Sequence, residues 1–289
     1  MEVLINGLNT YLGSRAASHL QDSEFTVNGI VRNLNVFNSR SKESTTAELH
    51  EVDLIRKGKS YDDFYLKNLD IAFYFTQVHD FSDKLTLNLE IISLKNYIQL
   101  IKINQCKRLV YVARLMDKNY VSIIEQLFKE SEIDYTIVLK NVAIGKGSVV
   151  DAYIKNLLKF SYVPYVKKVA NINFRPIAVL DVLKFIKTVT WKDYFARETV
   201  ELGGPKEMTF QSLFSIYATY FSPKSKFYGV NVPKFILDLI HKRYHLVNGE
   251  DYMEFNRLMK FEYPIDNTVW VKKIPFHFTP ISHTIRTDC

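Results

Sequence analysis

The stretch Val3-Leu4-Ile5-Asn6-Gly7-Leu8-Asn9-Thr10-Tyr11-Leu12-Gly13 decides the fold. An apolar run, Val3 to Ile5, leads straight into Gly7, and Gly13 follows six residues later where a helical pattern opens. A strand, a tight glycine turn and a helix in that order make the phosphate-cradling turn of a dinucleotide-binding fold. The first glycine permits the sharp exit from the strand. The helix N-terminus offers N–H groups and a positive dipole end to a pyrophosphate. Gly13 lets the helix pack close to the strand. The middle position usually carries a further glycine, so that the backbone can approach the pyrophosphate; here it is Thr10. Two readings stay open, a turn that still holds a nucleotide and a unit that keeps the turn but has lost tight binding.

Composition bounds the rest. The 289 residues are 47% hydrophobic and 24% charged, an ordinary globular balance with room for one or two domains. No run of 18 apolar residues occurs, so no membrane span is expected. No basic segment followed by an apolar one opens the chain, so secretion is not expected. Cys106 and Cys289 offer neither a disulfide framework nor metal-binding spacing, and a reduced, cytoplasmic setting fits them best. The net charge of +7 suits an anionic ligand. Lys and Arg are scattered among Asp and Glu, and the aromatics fall at core spacing, so nucleic acid is not expected as a partner. No histidine pair brackets a glutamate as a zinc site requires, and no metal is expected. A Gly-x-Ser-x-Gly elbow and a Gly-x4-Gly-Lys loop are also missing.

Strands and helices then alternate. Leu12, Ala16 and Leu20 share one face of the first helix. Strands are expected at 25–31, 47–52, 71–76, 108–113 and 135–139. Residues 33–46 read as a polar loop or short helix and 61–67 as a short helix. A long helix spans about 83–102 with two apolar stripes. Leu87, Ile91, Leu94, Ile98 and Ile101 form one; Leu85, Leu89 and Ile92 form the other. One buried face needs one stripe, so the second is read as covered either by a second copy in a homodimer or by another element of this chain. The helix 122–130 turns Ile123, Ile124, Leu127 and Phe128 inward. This rhythm predicts a doubly wound parallel sheet, with a ligand at the C-terminal strand ends near the first strand. After Gly145-Lys146-Gly147 the character becomes mainly helical, with helices at 152–160, around Val182 to Val189, at 209–221, 233–244 and 251–260. Thr209 is read as an N-cap and Pro233 as the first helical residue. A strand is expected at 198–202, and the tail 270–289 as irregular chain or short edge strands. The division expected is a dinucleotide-binding domain at 1–147 and a substrate-binding region at 148–289, with 175–204 partly returning to the sheet.

The order of landmarks resembles the atypical short-chain dehydrogenase/reductases, in particular their NmrA-like NAD(P)H-binding branch. The resemblance rests on Asn6 to Gly13, Val31-Arg32-Asn33, Asp53-Leu54 and Asp134-Tyr135-Thr136-Ile137. It continues through Gly145-Lys146-Gly147-Ser148, Arg175-Pro176-Ile177-Ala178-Val179 with Asp181-Val182, and Glu201-Leu202-Gly203-Gly204-Pro205. It implies a Rossmann fold with a smaller, mainly helical C-terminal substrate region. Gly7, Asn9, Thr10, Tyr11 and Leu12 would surround the pyrophosphate. Arg32 would meet the adenosine ribose, where a guanidinium can fork onto a 2′-phosphate. No acidic residue ends that strand, so NADP is favoured over NAD. Asp53 and Leu54 would flank the adenine, with Asp53 as turn cap the other reading. Thr76, with Gln77 beside it, would lie along the cofactor. Asp181 would order the loop around Arg175.

Typical members of the family use a Tyr-x3-Lys pair to exchange a proton with the substrate carbonyl. After the fifth strand Tyr120 is followed at that spacing by Ile124, so the pair is missing; Tyr220 and Lys224 match by chance. No catalytic residue is assigned, although His79, past the fourth strand, could reach a nicotinamide-proximal pocket. The Thr10 hydroxyl could donate to the phosphate and compensate for its bulk. The implied activity is an NADP-dependent oxidoreductase on a small carbonyl or quinone-like substrate. The alternatives are a non-catalytic NADP-binding redox sensor and a structural module with weakened cofactor binding.

Overall fold

The computed structural model describes residues 1–21, 24–40, 45–78, 80–191, 193–222, 228–260 and 262–289. The chain forms two compact units. One comprises Met1–Leu139 and Leu183–Val200, the other Lys140–Val182 and Glu201–Cys289.

The first unit is built on β1 (Glu2–Asn6), β2 (Thr26–Val31), β3 (Glu48–Glu51), β4 (Leu69–Phe75), β5 (Arg108–Arg114), β6 (Asp134–Lys140) and the strand Glu198–Leu202. They form one seven-stranded sheet in the order β3-β2-β1-β4-β5-β6 followed by Glu198–Leu202. The pairings from β3 across to β5 are parallel. The order reverses direction between β1 and β4, which makes that junction the topological switch point. The connecting helices are α1 (Tyr11–Leu20), α2 (Leu34–Arg40), the single turn α3 (Lys59–Asp62), α4 (Lys84–Ile103) and α5 (Val121–Ser131). Val3, Leu4 and Ile5 are fully buried, as are all seven residues of β5. A strand covered on both faces loses the alternation of a half-exposed one and reads as a continuous apolar run. Tyr97 on α4 sends its hydroxyl down to the carbonyls of Leu4 and Phe73, at 3.1 and 3.0 Å, and ties the helix to β1 and β4.

Several local expectations are corrected. The short helix falls at Lys59–Asp62 and not at 61–67, because the Leu66 N–H is taken by the Asn104 side chain and not by a helical carbonyl. Ile123 is exposed, since Ile124, Leu127 and Phe128 alone define the buried face of α5. Residues 41–44 of the polar connection lie outside the described residues.

The second unit is mainly helical. Helices at Val149–Leu157, Phe210–Phe221, Gly249–Leu258 and Ile281–Asp288 share one apolar core that includes Tyr153, Leu213, Tyr217, Phe255 and Ile285. Ser148 caps the first of these, accepting from the Asp151 N–H at 3.3 Å, so that helix begins three residues earlier than its apolar pattern suggested. Thr209 caps Phe210–Phe221 through the Ser212 N–H. Pro233 is an N-cap and not a first helical residue, because its carbonyl already accepts from Ile236. The tail is irregular over residues 272–280, as one of the two readings expected, and ends in the helix Ile281–Asp288 in place of edge strands. Ile281, Thr284 and Ile285 bury one face, and Pro280 stands just before the first turn. Asp181 is fully buried and accepts from both the Thr279 N–H and its hydroxyl, at 2.6 and 2.7 Å. It therefore staples the tail to the helix Val179–Trp191. No helix among the described residues is long and apolar enough to cross a membrane.

Candidate functional site

The glycine turn sits at the end of β1, on the switch point of the sheet. Gly7 has φ +96°, a region that side chains rarely enter. A Cβ there would stand 2.6 Å from the Phe75 carbonyl oxygen, so β1 and β4 leave room for hydrogen only. A Cβ on Gly13 would overlap the Gly7 carbonyl, which is why α1 can start so close beneath the strand. Both glycines are thus required by the backbone geometry itself.

Thr10 is the N-cap of α1. Its hydroxyl donates to the Gly7 carbonyl at 2.8 Å and accepts from the Gly13 N–H at 3.1 Å. The single hydroxyl proton is committed to the turn. Thr10 stabilises the loop, and the Leu12 N–H belongs to the donors the helix end still presents. The first turn of α1 holds no acidic residue to oppose an anion. Tyr11 is half-buried at this helix start and Asn9 is exposed on the loop.

Behind the turn, Asn6 is buried and its side-chain oxygen accepts from Gln77 Nε2 at 3.2 Å. Its Nδ2 is buried with no acceptor among the described residues. An unsatisfied buried donor is costly, and this one stands next to the phosphate turn. Asn6 and Gln77 thus link the ends of β1 and β4, and Thr76, whose N–H bonds the Val112 carbonyl, continues that rim.

On the other side of the switch point, Arg32 follows the last residue of β2. Its Nε donates to Asp53 Oδ2 at 3.0 Å, and its side chain is 62% exposed. Asp53 also accepts from the N–H groups of Ile55 and Arg56, at 2.8 and 3.0 Å, so it caps the turn after β3 while holding Arg32. Burial acts to raise the Asp53 pKa; the Arg56 and Ile55 N–H groups and the Arg32 charge outweigh it and leave the carboxyl below its ordinary value. The pair fixes one edge of the guanidinium and leaves the other turned away from Asp53. Leu54 is buried beside it. The structure thus brings Gly7, Asn9, Thr10, Tyr11 and Leu12 together at one turn, and Arg32, Asp53 and Leu54 together at a second place.

The end of β5 holds what the sequence did not single out. Arg114 and Asp117, both buried, pair at 2.7 Å from Nε to Oδ2. Arg114 Nη2 also donates to the Val78 carbonyl at 2.7 Å, bridging to the loop after β4. A 3-10 turn, Leu115–Tyr120, carries the chain onward, and Tyr120 packs edge-on against Phe81. An ion pair in this position is a fixed structural clamp and has no free base to offer. Glu90, deep on α4, is the other unforeseen group, hydrogen-bonded by the Tyr111 hydroxyl at 3.1 Å. The candidate His79 lies outside the described residues. Among the described residues no cluster of three His, Cys, Asp or Glu could hold a metal.

No protein-family model matches the chain, and no curated protein matches it in sequence. Solved structures match in shape over the whole length. A Citrobacter sp. triphenylmethane reductase complexed with NADP(H) superposes with TM-score 0.73 at 14% identity, covering 98% of this chain and 99% of that one. A nucleoside-diphosphate-sugar epimerase from Staphylococcus aureus gives 0.68 at 13% identity, covering 99% and 100%. The Bordetella bronchiseptica enzyme WbmH in complex with NAD+ gives 0.66 at 13% identity, covering 99% and 96%. The chain shares the fold of these reductase and epimerase structures over its whole length, a seven-stranded Rossmann-like sheet flanked by helices.

Proposed function

We propose that the first unit binds NADP(H) and that the protein is an oxidoreductase acting on a small carbonyl or quinone-like substrate. One observation carries the reading: Gly7, at φ +96° and pressed against Phe75, opens directly onto the capped N-terminus of α1 at the switch point of the sheet. The orphaned Asn6 Nδ2 adds a donor beside the same turn. Thr10 does not block the reading, because its side chain is drawn into the loop by Gly7 and Gly13. Arg32, steadied by Asp53, would fork its outer edge onto a 2′-phosphate, which favours NADP over NAD. A bound nicotinamide dinucleotide supplies the hydride; the chain supplies the cradle. The neighbouring triphenylmethane reductase holds NADP(H) and is in keeping with a reductase. Cys106 and Cys289 are both free, in keeping with a reduced, cytoplasmic setting.

A second reading, a redox sensor that binds NADP(H) without turnover, is favoured by Arg114 and Asp117, which close on each other at the end of β5. Thermal-shift titration with NADPH and NADH, followed by assay on a carbonyl and quinone panel, tests both. Binding stabilises by RT ln(1 + [L]/Kd), about 2.7 kcal/mol at roughly a hundredfold excess over Kd. A shift larger for NADPH than for NADH, abolished for NADPH alone by Arg32→Ala, supports the cofactor assignment. Turnover supports the reductase and a shift without turnover the sensor. No shift with either nucleotide refutes both.

A further inference from the structure

Glu90 is a buried acid that the cofactor cradle does not use. It lies on the sheet side of α4 with 1% of its surface exposed. From β5, Tyr111 donates to its Oε1. The hydroxyls of Tyr74 on β4 and of Thr76 just after it face the carboxyl, and Ser93, one turn further along α4, faces the Tyr74 hydroxyl. Neither the Tyr74 nor the Thr76 hydroxyl closes a hydrogen bond of standard geometry. Each can therefore accept from a protonated Glu90 or donate to an ionised one. Among charged groups, Arg114 at the end of β5 favours the ionised carboxyl, while the charge of its partner Asp117 acts weakly on Tyr111 in the opposite sense. Burial is the largest influence and lifts the Glu90 pKa from its ordinary 4.5 to about 7, with the hydroxyls of Thr76 and Tyr111 and the Arg114 charge holding it there. Both protonation states are thus populated near neutrality.

The place of this group matters as much as its chemistry. Glu90 is held between Tyr111 of β5 and Tyr74 and Thr76 at the end of β4, so it lies on the β4–β5 side of the switch point. Arg32 and Asp53 lie on the other side. In a sheet of this order a dinucleotide straddles the switch point, one mononucleotide half on each side. With the adenosine half toward Arg32, the nicotinamide half would fall on the β4–β5 side. Its oxidised ring carries one more positive charge than its reduced ring.

We propose that Glu90 is a proton-linked reader of the cofactor's redox state, holding its proton less tightly when NADP+ is bound than when NADPH is bound. The proposal rests on the cofactor reading above and adds regulation to the same site. The step balances simply. The Glu90 O–H bond breaks, the carboxylate remains among Tyr74, Thr76 and Tyr111, and the proton passes to the buffer; no bond in the cofactor changes. By linkage, NADP+ affinity relative to NADPH rises with pH, by roughly three- to tenfold between about pH 6 and about pH 8. The 2′-phosphate is common to both forms and cancels from the comparison.

Isothermal titration calorimetry at about pH 7, in phosphate and in Tris, measures the proton released with each form. The full-length chain is expected to release about 0.4 proton more with NADP+ than with NADPH, the amount a shift of about one pH unit at the midpoint displaces. Glu90→Gln is expected to bind both forms and to lose the difference. Tyr111→Phe, which removes one hydrogen bond to the carboxylate, is expected to move the release to higher pH, and it provides the test should Glu90→Gln not fold. Equal release with the two forms, or a difference that survives in Glu90→Gln and is unmoved in Tyr111→Phe, overturns the proposal while leaving cofactor binding intact. Absence of binding heat with both forms overturns the cofactor reading and the proposal with it.

Discussion

Thr10 shows how one side chain can change the meaning of a motif. In the sequence it is bulk where a glycine is usual. In the structure its hydroxyl bridges Gly7 and Gly13 and completes the turn. Thr10→Ala should lower stability by about 1 kcal/mol, the usual worth of an N-cap side chain, while Thr10→Ser should retain most of it; urea denaturation of the two variants measures this. Gly7→Ala meets both an unfavourable φ and the Phe75 carbonyl. It should cost about 1–3 kcal/mol in the same measurement and abolish any NADPH-induced thermal shift. The glycines were legible because only backbone geometry constrains them. The Thr10 clasp was not, because a hydroxyl's partners depend on the loop's closed shape. Nor was Arg114 with Asp117, a pair three residues apart that reads as ordinary surface charge until β5 is seen to be buried throughout.

At the scale of elements, α4 carries the clearest lesson. Its apolar periodicity located the inward face correctly at Leu94, Ile98 and Ile101. The second stripe faces outward, with Leu85 68%, Leu89 39% and Ile92 43% exposed. Cover by another element of the first unit is therefore not what occupies it. We propose a homodimer through this helix. Analytical ultracentrifugation should show a concentration-dependent dimer that Leu85→Glu with Ile92→Glu converts to monomer; a monomer at all concentrations would remove the proposal. The same periodicity hid Glu90, because a charged residue within an apolar helix reads as a solvated position. The tail helix Ile281–Asp288 was missed for a related reason: its Pro, Phe and His content outweighed the spacing of Ile281 and Ile285. Order and type of the main strands were legible, since buried parallel strands are long apolar runs between glycine and polar breaks. Two-residue strands such as Ala143–Ile144 were not, because they exist only through pairing.

For the whole molecule, the acid in the core makes stability depend on pH. Folded Glu90 holds its proton up to about 7, against 4.5 ordinarily. The folded state binds the extra proton between those values, so the contribution is fully present below about 4.5 and lost as pH rises through about 7. The total is about 3 kcal/mol. Glu90→Gln should therefore gain stability over the unsubstituted chain at about pH 8 and little at about pH 5, read as a shift in urea midpoint. A gain equal at both values would contradict it. Asp53 acts in the opposite sense, since its pKa is lowered: its pairing with Arg32 weakens only as pH falls through the acidic range below 3.8.

If the amino-terminal turn is a cofactor cradle, a crystal structure of the full chain grown with saturating NADPH shows it most directly. The pyrophosphate is expected against the Gly7 turn and the Leu12 N–H, with Asn6 Nδ2 satisfied and the 2′-phosphate on the outer edge of Arg32. An empty crevice, or the nucleotide bound elsewhere on the chain, would contradict it.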